Sequence, residues 1–193
     1  MSLVIKRQNE KRIIRAFTHK LADIPNGLNI ATADLTQSRV AEGTPVGKDS
    51  NGLGHVVKTA EIAIAAANDA TVLTVKKGHN FKVGDVVFAV KKGKAYAITT
   101  IATNSTDATL DDITIGTTLG VAIAKGAVIA QGNTTGATAG AFKYQPIALL
   151  GESYDIEQLQ NRPANAITIG QLRAANAPAL GFVADELKGI LTI

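Results

Sequence analysis

TVLTVKKGHNFKVGDVVFAVKKGKAYAITTIATNSTDATLDDITIGTTLGVAIAKGAVIA, Thr71 to Ala130, is a run of short strand signals broken by glycine. Its strand candidates are Thr71 to Val75, Val86 to Val90, Tyr96 to Ile101, Ile113 to Ile115, Val121 to Ile123 and Ala127 to Ile129, all rich in branched residues that suit a pleated surface. Turn chemistry separates them at Lys77-Gly78, Gly84-Asp85, Lys92-Gly93, Asn104 to Asp107, Gly116 and Lys125-Gly126. The breaks leave room for tight turns and little else. That spacing predicts a small barrel or sandwich and argues against βαβ units.

Working outward, Val40 to Gly54 carries two strong turn signals, Gly43-Thr-Pro45 and Ser50-Asn-Gly52, around a short strand at Val46. His55 to Ile64 alternates enough to predict another strand. Leu28 to Gln37 mixes single apolar residues with Thr, Asn and Asp, and reads as an extended connector along a surface. On the other side, Gln131 to Gly140 reads as a flexible linker. Strand signals return from Phe142 to Leu150 and at Ala166 to Ile169, where Gly170 marks a bulge beyond which the strand continues. Phe182 to Lys188 suits one or two helical turns before a last strand, Ile190 to Ile193. The fold class expected is mainly β in two lobes. A small barrel or sandwich is formed by 28–61 with 141–193, a β module at 62–140 is inserted in it, and short helices stand at either end.

With 193 residues, 46% of them hydrophobic, the chain can bury a sizeable core, and without cysteine it has no disulfide, thiolate or Cys-based metal chemistry. Aromatic residues are 4% with no Trp, which weakens lectin and single-strand-binding readings. No apolar run reaches the roughly 20 residues of a membrane span. The basic start lacks the apolar stretch of a signal peptide, so a soluble protein made in a cytoplasm is expected.

The charge is concentrated at that start. Lys6, Arg7, Lys11, Arg12, Arg15 and Lys20 face only Glu10, an excess larger than the +4 of the whole chain. Ile13, Ile14, Phe17 and Leu21 fall near one face of a helix over Ser2 to Leu21, which makes residues 1–27 a basic amphipathic arm. A helix this short is marginal alone and needs a partner surface, either on its own domain, as a docked terminal helix, or on another protein. An acidic protein surface suits it better than nucleic acid, because the apolar face calls for burial.

Candidate chemistry is sparse. Gly43 to Asp49 has one residue too few between its glycines for a phosphate loop, and Asp49 sits where a hydroxyl should bind magnesium. Gly151-Glu-Ser153 lacks the second glycine of a nucleophile elbow. His19, His55 and His79 are scattered, which predicts solvated or locally bonded rings rather than ligands. Asp107, Asp111 and Asp112 could hold a hard cation, but the regular calcium-loop pattern is missing. No catalytic residue, metal or cofactor is assigned, and no enzyme activity is expected.

Two separated stretches, Val40-Ala-Glu-Gly-Thr-Pro-Val-Gly-Lys48 and Pro146-Ile-Ala-Leu-Leu-Gly-Glu-Ser-Tyr-Asp-Ile156 with Ile167-Thr-Ile-Gly-Gln-Leu172, resemble the head decoration proteins of tailed bacteriophages. Gly43, Val46 and Gly47 match that family's hairpin, Ala148 to Asp155 its following segment, Ile169-Gly170 its short strand and Phe182 to Gly189 its small terminal helix. The family lacks Ile62 to Thr138. Phrases there, such as Gly78 to Asp85 and Thr118 to Gly126, are similar to β modules of other phage capsid and fibre proteins.

The resemblance implies a structural virion protein on the outer surface of the capsid. It would be a homotrimer without catalysis, bind the major capsid protein through N-terminal arms and stabilise the head. Lys11, Arg12, Ile13, Ile14, Arg15 and Phe17 would then be the capsid contacts. Pro146 to Leu150 and Ala174 to Phe182 would be candidates for subunit packing, and a chain lacking Ser2 to Lys20 is expected to keep its fold. The alternatives are a β-rich receptor- or glycan-binding module of a fibre or tail and, third, a small glycan hydrolase.

Overall fold

A computed structural model describes residues 15–156 and 161–193 of the chain. Sixteen strands account for most of its regular structure: β1 (Phe17–Asp23), β2 (Leu28–Ile30), β3 (Arg39–Val40), β4 (Pro45–Lys48), β5 (Gly54–Val56), β6 (Thr59–Glu61), β7 (Val72–Lys76), β8 (Val86–Phe88), β9 (Ala95–Thr103), β10 (Leu110–Ile115), β11 (Val128–Gly132), β12 (Pro146–Leu150), β13 (Tyr154–Asp155), β14 (Arg162–Ala164), β15 (Ala166–Leu172) and β16 (Ile190–Thr192). Among the described residues the helical content is two 3-10 segments, Ala174–Asn176 and Gly181–Glu186. The protein is mainly β.

The outer sheet runs β1-β15-β12-β4-β5-β2-β14, with β16 also paired to β15. It curls into a half-barrel until β14, at one end, passes through the single residue Asn165 into β15. Alternate side chains point to one face, where Leu28, Ile30, Val46, Val56, Ala148, Leu150, Ala164 and Ala166 pack together. The β4–β5 turn is held by Asp49, whose Oδ1 accepts the amides of Asn51 and Leu53, each at 2.9 Å, while Gly52 supplies the positive φ of 81°. At the corner between β14 and β15, the Asn165 amide donates to the Tyr154 hydroxyl at 2.8 Å. Tyr154→Phe should leave that amide unpaired and lower stability by about 1–3 kcal/mol, measurable as a shift in the urea midpoint at unchanged slope.

The second sheet, β6-β11-β8-β9-β10-β7, takes all its strands from residues 59–132. Leu73, Val75, Val87, Ile98, Ile113, Ile115 and Ile129 fill its core, as the period-two patterns of these strands dictate. A third cluster crosses between the sheets: Phe88, Ala95 and Ala130 of the second sheet pack with Phe17, Leu149, Ile167 and Leu172 of the first and with Val183 and Leu187. Phe88 meets Phe142 and Phe182 with ring centroids 5.2 and 5.3 Å apart. The two sheets share a core.

Several local expectations are corrected. Phe17–Asp23 is a strand, not the end of a helix, because pairing with β15 gives its backbone a ladder and Phe17 a place opposite Leu172, which outweighs helical spacing. Of the helix expected over Ser2 to Leu21, residues 2–14 lie outside the described residues. A cut at Lys20 would remove half of β1 and Phe17 from the core, so the expectation that such a chain keeps its fold is withdrawn. Leu28 to Gln37 is not a surface connector, since Leu28, Ile30, Ala31, Thr32 and Leu35 are buried.

Gln131 to Gly140 is not a free linker either. Gln131 is buried in β11, Gly136 exchanges backbone hydrogen bonds with Ala95, and the Gly140 amide donates to the Gly93 carbonyl at 2.8 Å. A Cβ on Gly140 would lie 2.4 Å from the Val90 carbonyl oxygen, so only glycine lets these backbones approach. Val121 to Ile123 forms a single bridge, Ala66 to Ile123, rather than a strand. Four of the five residues of Pro146 to Leu150 are buried inside the chain, which leaves only Ile147 of that strand for a neighbour.

Candidate functional site

The N-terminal segment enters the fold at a built anchor. Glu42 is buried beneath β1, and its carboxylate accepts the Ala16 amide at 2.8 Å and pairs with Lys20 Nζ at 2.9 Å. Lys20 also donates to the Gly151 carbonyl and lies 5.5 Å from the centre of the Phe17 ring. Ser153 Oγ accepts the Glu42 amide at 2.9 Å, which holds the loop that carries the carboxylate. A buried carboxylate with two charge-assisted partners ties Ala16 and Lys20 to the loop that carries Glu42.

Of the expected contact residues, Lys11, Arg12, Ile13 and Ile14 lie outside the described residues. Arg15 is exposed, and its carbonyl accepts Asn176 Nδ2 at 3.1 Å. Phe17 is buried in the chain's own core, which corrects its assignment to a partner surface. Beside this anchor stands a strand edge: among the described residues β1 pairs only with β15, and its Leu21 is 77% exposed. Ile169 of β15 and Leu191 of β16 are exposed in the same three strands, with Ile193 just beyond them. Sequence reasoning placed Leu21 on a helix face and missed this edge, because pairing between residues 150 apart leaves no local signal.

The candidates for chemistry are dispersed. Asp107 Oδ1 accepts from the Thr109 amide and hydroxyl, and these bonds hold its carboxyl below the usual range. Asp112 is bonded to Thr74 and Asn104, while Asp111 faces Lys77 and His79. Their carboxylates are thus each engaged within the protein, and no group of three potential metal ligands occurs among the described residues. Pro45 to Lys48 is strand β4 rather than a phosphate-binding loop. His55 stacks on Tyr144 at 4.0 Å and stands 3.5 Å from Asp49. His79 is buried, so it is not solvated, but its Nδ1 does accept a local hydrogen bond from the Phe81 amide at 3.2 Å.

Two clefts share Pro178 and Ala179 in their linings. One of about 330 Å³ is bordered by Val128, Leu172, Pro178, Leu180, Ala184 and Thr192. Another of about 220 Å³ lies between Glu61, Lys76, Lys77 and His79 on one side and Ala177 to Ala179 on the other. No protein-family model, curated protein or solved structure matches this chain.

Proposed function

We propose that this chain is a structural virion protein that decorates the head of a tailed phage, binding the major capsid protein as a homotrimer on the outer capsid surface. The observation that carries the reading is the meeting of the two stretches that resemble head decoration proteins. They are some 100 residues apart in sequence, yet Pro45 pairs with Leu149, Val46 with Ala148 and Val40 with Tyr154. Such adjacency is what a shared structural unit requires. Further support comes from the anchor at Glu42, which holds Ala16 and Lys20, next in sequence to the basic residues 1–14. Apolar contact from Ile13 and Ile14 would contribute on the order of 1.5–3 kcal/mol each, and exposed charge pairs only about 0–1 kcal/mol apiece.

Co-sedimentation of the purified chain with empty mature heads tests the proposal. Saturable binding at threefold positions is expected, and glycan turnover without head binding would overturn it. Removing residues 1–14 should abolish head binding while leaving the melting temperature nearly unchanged, because the described core begins at Ala16. Within the full chain, Ile13→Asp should weaken binding more than Arg12→Ala. Equal losses would show that charge, not apolar contact, holds the arm.

A further inference from the structure

The turn that follows β7 reaches out of the second sheet and grips a loop of the outer sheet. The His79 carbonyl accepts Thr36 Oγ1 at 3.3 Å and Gln37 Nε2 at 3.0 Å. Asn80 Oδ1 accepts the amides of Thr36 and Gln37 at 3.1 and 3.2 Å, and Lys82 Nζ donates to the Ala33 carbonyl at 3.0 Å. These five bonds join the 32–37 loop to the 79–82 turn. The turn is in turn shaped by the His79 ring, whose side chain is 6% exposed and whose Nδ1 accepts the Phe81 amide. That bond requires an unprotonated Nδ1, so in this geometry the proton of the neutral ring sits on Nε2, which faces Asp111 Oδ2 at 3.4 Å.

We propose that His79 makes this junction a proton-sensitive latch, closed while the imidazole is neutral and loosened when it is protonated. A second proton would sit on Nδ1, setting an N–H against the Phe81 N–H at a separation that now holds a hydrogen bond. The turn has to rearrange to relieve this, and the two groups that hold Thr36 and Gln37 move with it. Charged neighbours act in both directions. Asp111 of β10 attracts an imidazolium, and Lys77, itself 3.0 Å from Asp111, repels one. Across the adjacent cleft, Glu61 of β6 and Lys76 of β7 neutralise each other at 2.7 Å, and the facing Ala177 to Ala179 bring no charge.

Burial pushes the His79 imidazole below its ordinary value; Asp111 opposes this, and Lys77 adds to it. With the folded value depressed, the unfolded or opened chain takes up the proton first as pH falls through about 6.5. The closed latch is therefore fully favoured above that pH and loses stability from there down toward the folded value.

Amide hydrogen exchange on the full chain reads the latch at the Thr36 and Gln37 amides. After correction for intrinsic rates, their protection should drop between pH 7.5 and pH 5, while that of β9 and β10 core amides changes less. His79→Asn keeps an acceptor near the Nδ1 position without a titrating ring. The melting temperature of the wild type relative to this variant should fall over the same interval. Unchanged protection at Thr36 and Gln37, or a wild-type-to-variant difference that does not vary with pH, would overturn the proposal. Should the variant not fold, the wild-type exchange profile together with the NMR titration of the His79 ring decides alone: a ring titrating at or above its ordinary value rules the latch out.

Discussion

Asp85→Ala is expected to lower stability by about 3–5 kcal/mol, among the largest effects of any single polar substitution in this chain. Lys58 is only 2% exposed, and its ammonium meets Asp85 Oδ2 at 2.8 Å. The same carboxylate accepts the Lys82 amide at 2.9 Å and Gln131 Nε2 at 2.8 Å. Removing it strands a buried cation and two further donors. Urea unfolding should show the loss as a lower midpoint with the slope preserved. Replacing both partners, Lys58→Met with Asp85→Ala, should recover a large part of the stability, since a buried ion pair is worth little more than apolar residues of similar volume. A double variant as unstable as Asp85→Ala alone would show that the carboxylate matters through Lys82 and Gln131 rather than through Lys58.

Phe88→Ala should cost a similar amount, about 3–5 kcal/mol, for a different reason. Phe88 is fully buried where the sheets meet, against Phe142 and Phe182, so its removal opens a cavity in the core that both sheets share. The wild type and this variant should each unfold in one transition, seen as coincident loss of β signal by circular dichroism and of Tyr fluorescence. Tyr96 reports on the second sheet and Tyr144 and Tyr154 on the outer one. Two separated transitions would mean that the inserted strands fold as an independent unit.

The sequence was legible where structure follows from neighbours. The alternating runs of β7 to β10 announced themselves, as did the Asp49 to Gly52 turn, because branched residues, glycine and Asx chemistry act within a few positions. It was illegible where a distant strand decides. Phe17 to Leu21 has helical spacing, yet β15 captures it, and nothing near residue 20 encodes a partner near residue 170. Gln131 to Gly140 looks like a linker because its glycines serve close backbone contact rather than freedom. Lys58 and Asp85 went unnoticed as a pair for the same reason. One sits in an apolar strand context and the other in a turn, and only the fold brings them together.

The placement of β1 and β16 around β15 has a mechanical consequence. Phe17 pairs with Leu172, and Leu172 pairs with Thr192, so the chain enters and leaves the outer sheet at the same row. β1 runs away from that row and β16 runs toward it. Tension applied between residues 17 and 192 therefore meets the ladder bonds one at a time, as in unzipping, instead of loading them all together in shear. The 59–132 sheet lies outside that line of force. A pull on the two ends should peel β1 or β16 from β15 at low force and leave the second sheet intact until the core around Phe88 gives way.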